Sequence, residues 1–374
     1  MNEDRATRYQ RLRRRASVGS AAISSALLAG LVLSGAAASL RDVATVLAAG
    51  SSVVTVVIFV MTIGILNELL VLPFAYYEGV TLERRYGLTT QSIGHWWGDH
   101  LKGSALGLVA VLVVGVAVSL LLHSTPAWWW IFAAAGFTAV LVLLIQVAPV
   151  LLLPVFDKCE PLGRDALVER LMTLARRANT RVLGVFEWHL GTRTKKANAA
   201  LTGLGRTRRI LVSDTLLAEH SDDEIEVILA HELAHHVYHD IWTSIAMHAL
   251  LITVAAYTAD VVLSLFADSL GFSGKGDVAA LPLVALACGA VSLLLMPLAN
   301  AVSRAHERRA DRYALEMTRN VSAFVSAMRR LGAQNLSDDR PSPFVEYVFY
   351  THPPVSARIS AAQAWASRMG DGRR

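Results

Sequence analysis

Long runs without Asp, Glu, Lys or Arg constrain this 374-residue chain more than any other feature. They lie between Arg15 and Arg41, Asp42 and Glu68, Lys102 and Asp157, Asp240 and Asp260, and Asp277 and Arg304. An ionised side chain at the bilayer centre costs about 2.5 kcal/mol or more, and about 20 apolar residues cross the hydrocarbon. Each run can therefore cross a membrane, and the third is long enough to cross twice. Its break is His123, Ser124, Thr125 and Pro126, followed by the interfacial aromatics Trp128, Trp129 and Trp130. The runs predict six helical spans, at roughly 17–39, 46–72, 103–122, 127–150, 241–264 and 279–302. Composition agrees, with 54% hydrophobic and only 17% charged residues, where a soluble domain has about 25% charged. Disorder is excluded by the same figures. Two cysteines, Cys159 and Cys288, are too few and too far apart for a disulfide framework.

A net charge of +5 could point to nucleic acid, but Arg5, Arg8, Arg11, Arg13, Arg14 and Arg15 concentrate it on the first fifteen residues. The remaining body is nearly neutral, so nucleic acid is not an expected partner and the lipid bilayer is. With this tail on the cytoplasmic side, the outer loops hold only Arg41 and Lys275 of the 35 basic residues. The loop 73–102, the segment 151–240 and the tail from 303 then share the cytoplasmic side of a multi-pass plasma-membrane protein. A cleaved signal peptide is the alternative for the first span, but its apolar run exceeds the 7–15 residues typical of such a core. The expected organisation is a membrane region at 1–155 with four spans, a cytoplasmic-side segment at 156–240, two further spans at 241–303 and a C-terminal segment at 304–374.

The segment between the fourth and fifth spans has soluble composition. Residues 164–179 carry helical apolar spacing, and Arg181–Trp188 and Arg209–Val212 read as short strands. Ser221 with Asp222, Asp223 and Glu224 then reads as the capped start of a helix. That helix carries His231, Glu232, Leu233, Ala234 and His235. Two histidines four apart share a helix face, so both imidazoles can reach one tetrahedral metal, and Glu232 can take a proton from its water.

A catalytic zinc takes three protein ligands and leaves a position open. Tyr238 and Ile241 stand where the metzincin pattern needs Gly and His, so the third ligand must come from farther along. Glu307 is the best candidate, because the sixth span returns the chain to the side of His231 and His235. Asp311 lies one turn on, placed to accept a hydrogen bond from a ligand imidazole and fix its tautomer. His236 points off the ligand face, His239 reads as an outlying or solvated residue, and His306 faces elsewhere. An ATP-driven protease is excluded by Ser269, which stands where the phosphate loop preceding Gly274 and Lys275 needs glycine. A site-two intramembrane protease does not fit either, because the Asp-Gly pair is Asp371 with Gly372, in the tail.

Several spaced segments together resemble the type I CaaX prenyl endopeptidases, the a-factor-converting membrane zinc metalloproteases. They are Pro73, Phe74 and Tyr76; Glu83 to Leu88; Asn198 and Ala199; Ser213 to Leu217; the histidine motif; Glu307 with Ala310 and Asp311; and His352, Pro353, Pro354 with Arg358. The heat-shock membrane proteases are more distant and lack the first two segments. The resemblance implies an all-α polytopic membrane fold with a cytoplasmic-side, gluzincin-like zinc protease domain carrying a small β element. It implies one zinc ion on His231, His235 and Glu307, water activation by Glu232, and a scissile bond beside Asn198. Asn198 and Ala199 would pair with an extended substrate. His352 and Arg358 would stabilise an oxyanion or hold a substrate group. The family has seven spans where this chain offers six, and flanks rich in Ala, Arg and Val suggest a bacterial source. The expected activity is hydrolysis of peptide or membrane-protein substrates at the membrane. The rivals are a heat-shock-type quality-control protease and a non-hydrolytic metal-binding scaffold or transporter, the latter disfavoured because the expected spans carry almost no charge apart from Glu68 and Asp260.

Overall fold

The computed structural model describes residues 4–151, 158–203 and 208–371. The first helix, α1 (Arg5–Leu33), begins inside the arginine segment, so that segment is helix and not a loose tail. It ends before the expected position of 39 because Gly35, at φ 75°, adopts a left-handed turn that side chains disfavour. A short helix α2 (Ala36–Leu47) follows, and then α3 (Ser52–Tyr76). Beyond Pro73, α3 runs into a π-helical stretch, Tyr77–Leu82. Gly79 is required there: a Cβ would lie 2.4 Å from Nε1 of Trp96 on the next helix. That helix is α4 (Ile93–Ser124), capped by Ser92. Next comes α5 (Trp129–Leu151), whose 23 residues reach about 35 Å at 1.5 Å each. Two long helices complete the membrane part, α9 (Asp240–Phe266) and α10 (Leu281–Thr318).

Five of these, α1, α3, α4, α9 and α10, are long and apolar enough to cross a membrane among the described residues, and α5 is apolar throughout its described part. Each of the six expected spans thus falls on one of these helices, five of which meet the length and apolarity of a span, while α2, at twelve residues, is too short to cross. Charged groups gather at the two ends of this bundle. At one end Arg41 pairs with Asp277, Lys275 reaches Asp260 at 2.6 Å and Trp129 donates to Asp260 at 2.7 Å. Between the ends, Phe59, Leu122, Trp129 and Leu263 pack as an apolar core.

The protease-side part inserts between α5 and α9. It contains β1 (Cys159–Pro161), α6 (Asp165–Arg177), β2 (Val185–Trp188), β3 (Ala199–Thr202), β4 (Arg209–Ser213), α7 (Asp214–Glu219) and α8 (Asp222–Val237). The strands form one sheet in the order β1-β2-β4-β3, with β2 and β4 parallel and the other pairs antiparallel. After α10 come α11 (Val321–Gln334), α12 (Pro343–Phe349) and α13 (Val355–Asp371). Leu167, Leu171, Ile210, Leu229, Leu233 and Phe324 from these elements form a second core. The strand expected from Arg181 starts at Val185, because Leu183 is held instead by the Arg208 carbonyl at 2.7 Å. The boundary expected at 155/156 lies outside the described residues, and position 303/304 falls within the unbroken α10.

Candidate metal centre

Helix α8 is fixed at its start by a capping box: Ser221 accepts from the Glu224 backbone, and the Glu224 carboxylate accepts from Ser221. Ile225, Val227, Ile228, Leu229, Ala230, Leu233 and Ala234 are all buried, so the helix is packed on several sides and is set firmly between its neighbours. His231 and His235 project from it with ring centroids 5.1 Å apart. From α10, Glu307 places Oε2 3.2 Å from Nε2 of His231 and Oε1 3.4 Å from Nε2 of His235. One donor atom from each of the three residues lies within 4.8 Å of the others.

Each imidazole is held from behind by its own carboxylate. Nδ1 of His231 is 2.9 Å from Asp311 Oδ1, one turn past Glu307 on the same face of α10. Nδ1 of His235 is 2.8 Å from Asp240 Oδ2. Both Nδ1 positions thus serve as donors, which turns both Nε2 lone pairs toward Glu307. Oε2 of Glu307 is buried and accepts no hydrogen bond of good geometry. A carboxylate with one orphaned oxygen, facing an imidazole lone pair on each side, fits a bound divalent cation, because a buried acceptor without a partner is costly. Burial works against the charged form of His231, but the adjoining Asp311 and Glu307 carboxylates outweigh it and push its pKa up to about 9. Burial raises the pKa of Glu232, against the pull of the neighbouring histidines.

Arg358, at the start of α13, donates to Asp311 through Nε at 2.8 Å and through its terminal nitrogen at 2.5 Å. Its guanidinium is thus committed behind His231, 3.3 Å from Nδ1, and does not open onto the cavity. His352 stands on the other side, with Nε2 3.4 Å from Glu307 Oε1 and Nδ1 2.8 Å from the Thr351 hydroxyl. A cavity of about 380 Å³ adjoins Glu232, His235 and Glu307 and is walled by Ile241, Ser244 and Ser303. The far end of β3, at Leu201, Thr202 and Gly203, also lines it. Asn198 and Ala199 lie at the other end of this edge strand, outside the lining among the described residues, and the Asn198 backbone is paired with Ser213 at 3.0 Å. His236, expected to point away, bonds the Leu201 carbonyl at 3.3 Å and so ties α8 to the strand.

Asp240 was not anticipated as a partner of the site; in the sequence it only marks the start of a span. Its signal is an acid five residues after His235, a spacing that does not share a helix face. It meets His235 because His239, at φ 58°, reverses the chain between α8 and α9. Arg309 bonds Asp240 from α10 and lies 4.3 Å above the Tyr238 ring. His306 sits 3.9 Å from the same carboxylate, at the cavity, and does not face away as the spacing predicted.

A model of peptidase family M48 matches residues 161–366, more than half of the chain. The chain belongs to peptidase family M48. A second model, described as the CAAX prenyl protease N-terminal region with five membrane helices, matches residues 2–158, which here hold α1 to α5. Among curated relatives, the Bacillus subtilis "Uncharacterized metalloprotease YhfN" is 28% identical over 309 residues, covering 82% of this chain and 72% of that protein. Saccharomyces cerevisiae CAAX prenyl protease 1 is 28% identical over 344 residues, covering 83% and 72%. The crystal structure of S. mikatae Ste24p has the same fold, with a TM-score of 0.83 at 22% identity over 96% of this chain and 88% of that one. This M48 chain is therefore a multi-pass membrane metalloprotease of the CAAX prenyl protease type, acting on peptide bonds with the help of a metal ion.

Proposed function

We propose that one zinc ion is held by Nε2 of His231, Nε2 of His235 and the Glu307 carboxylate, and that the enzyme hydrolyses peptide bonds of substrates presented at the cytoplasmic face of the plasma membrane. The observation that carries this reading is the convergence of both Nε2 atoms on the Glu307 carboxylate, one on each oxygen, with Oε2 unsatisfied and each Nδ1 committed to a separate carboxylate. Two imidazoles and a carboxylate are the ligand set of catalytic zinc.

A bound zinc ion supplies Lewis-acid polarisation of the scissile carbonyl and acidifies water. Glu232 takes the proton of the attacking water and passes it to the leaving amine; its burial-raised pKa suits both steps. His352 faces the same centre and donates to the developing oxyanion. Arg358 and Asp311 act as positioning residues that fix the tautomer of His231. The exposed edge of β3, beginning at Ala199 beside Asn198, receives the substrate backbone as an added strand. Orientation rests on the basic residues, of which only Arg41 and Lys275 fall in the loops opposite the protease part.

The test uses purified Glu232→Gln and Glu307→Ala proteins, with zinc content and turnover measured together. Glu232→Gln is expected to keep zinc and lose turnover by at least about a hundredfold, and unchanged turnover would sink the mechanism. Glu307→Ala should lose zinc; full occupancy would mean that the third ligand is misassigned. Presenting the wild-type enzyme with a farnesylated CaaX peptide and with a denatured membrane protein separates a prenyl-protein substrate from a quality-control role.

A further inference from the structure

Helix α12 has no buried residue among its seven. Phe344 is 70% exposed, Tyr347 56% and Phe349 37%. A cluster of aromatic rings facing water is unfavourable, at about 25 cal/mol for each Å² of apolar surface. The backbone of α12 is nonetheless held firmly. Asn300 donates to the Val348 carbonyl at 2.6 Å, and Arg304 donates to the carbonyls of Glu346 and Tyr350 at 3.0 and 2.6 Å.

The anchoring residues locate α12 relative to the bilayer. Asn300 and Arg304 stand where α10 leaves the membrane, because the last charge-free run ends at Arg304. Leu294 and Leu298, one to two turns earlier on α10, are 77% and 51% exposed, as expected of a lipid-facing surface. Independently, Arg14 lies 5.7 Å from the Phe349 ring, and Arg13, Arg14 and Arg15 border the charge-free run of α1. Two separate spans thus place α12 at the membrane boundary on the protease side. Exposed aromatics at that depth, flanked by arginines, have the make-up of an interfacial belt.

We propose that α12 rests in the headgroup–acyl boundary of the protease-side leaflet, with Phe344, Tyr347 and Phe349 in contact with phospholipid. The rings meet the outer part of the acyl chains, and Arg14, beside Phe349, meets lipid phosphate, while the buried Arg304 holds the α12 backbone from within. The occupant is a lipid surface and not a polypeptide, because the exposed face continues from the end of a membrane span and lies beside Arg13, Arg14 and Arg15 of α1, at the depth of the phosphates. Tyr350 and Thr351 connect α12 directly to His352, which lies 3.4 Å from Glu307. The leaflet therefore sets the height of the His-Pro-Pro loop above the metal centre.

The test is site-directed spin labelling of the full chain in vesicles of phosphatidylethanolamine and phosphatidylglycerol. Cys159→Ala and Cys288→Ala provide the background, and nitroxides are attached at Phe344→Cys, Tyr347→Cys and, as an exposed control on α11, Arg329→Cys. Positions 344 and 347 should be accessible to oxygen and shielded from a water-soluble nickel chelate, with an oxygen-to-nickel ratio several-fold above that at 329. Nickel access equal to that at 329 would place the rings in water, including a water-filled substrate path, and overturn the proposal. Shielding from both relaxants would mean that protein covers the rings, whether a second copy or a bound substrate, and would overturn it as well. Both side chains are exposed, so neither label disturbs packing, and either position alone decides the outcome.

Discussion

At the scale of single residues, the two histidines share a face of one helix but are oriented by carboxylates of different origin. Asp311 is reachable by counting, because it follows Glu307 by one helical turn and lands on Nδ1 of His231. Asp240 is not, because it contacts His235 across a chain reversal that depends on the left-handed conformation of His239. Orienting partners of ligand histidines typically affect metal affinity by 10–100-fold. Asp240→Asn should therefore weaken zinc binding by about that factor, read in a chelator-competition titration, while far-UV circular dichroism stays unchanged. Unaltered affinity would show that Asp240 only anchors Arg309.

Single elements place the catalytic groups because they are rigid. α10 runs without interruption from the membrane to Thr318, so Glu307 is carried on the same rod that crosses the bilayer. α8 owes its position to its capped first turn and to the burial of Ile225, Val227, Leu229, Leu233 and Ala234 against its neighbours. Burial tends to raise the pKa of Glu224, but hydrogen bonds from Ser326 and Ser221 and the charge of Arg330 outweigh it and lower it below 4.5. A lowered folded-state value means that Glu224 contributes stability above the ordinary carboxylate range and loses it as pH falls through its folded value. Glu224→Gln should therefore cost about 1–2 kcal/mol at neutral pH. The gap from wild type should narrow on acidification below 4.5, followed by thermal unfolding in detergent. A gap that stays constant with pH would assign the loss to packing alone.

At the scale of the whole molecule, the N-terminal arginine segment is part of the protease-side architecture as well as a topology signal. Tyr9 is fully buried; its hydroxyl donates to Glu83, and Lys196 bonds both Tyr9 and Glu83 at 3.0 and 2.8 Å. Lys196 lies just before β3, so α1, the end of α3 and the edge strand meet at one buried knot. Asn335 adds to it by bonding both the N–H and the carbonyl of Ala197, at 3.0 and 3.2 Å. Tyr9→Ala should cost about 3 kcal/mol, as for a large aromatic removed from a core. The same variant should raise KM for peptide while zinc content holds, measured by thermal unfolding and steady-state kinetics. An unchanged KM would uncouple α1 from the strand.

The sequence by itself determined where the apolar helices lie and their order, because desolvating a charge is so costly that charge-free runs are unmistakable. It also determined the histidine motif and Asp311, because helical periodicity turns spacing into a shared face. Only the tertiary structure decided that Gly35 ends α1 early, that Asp240 serves His235, that His306 faces the cavity and that Arg358 lies behind His231. Each of these depends on a chain reversal or on a contact between segments distant in sequence. Such contacts are set by how rigid helices pack against one another, and no local spacing encodes that.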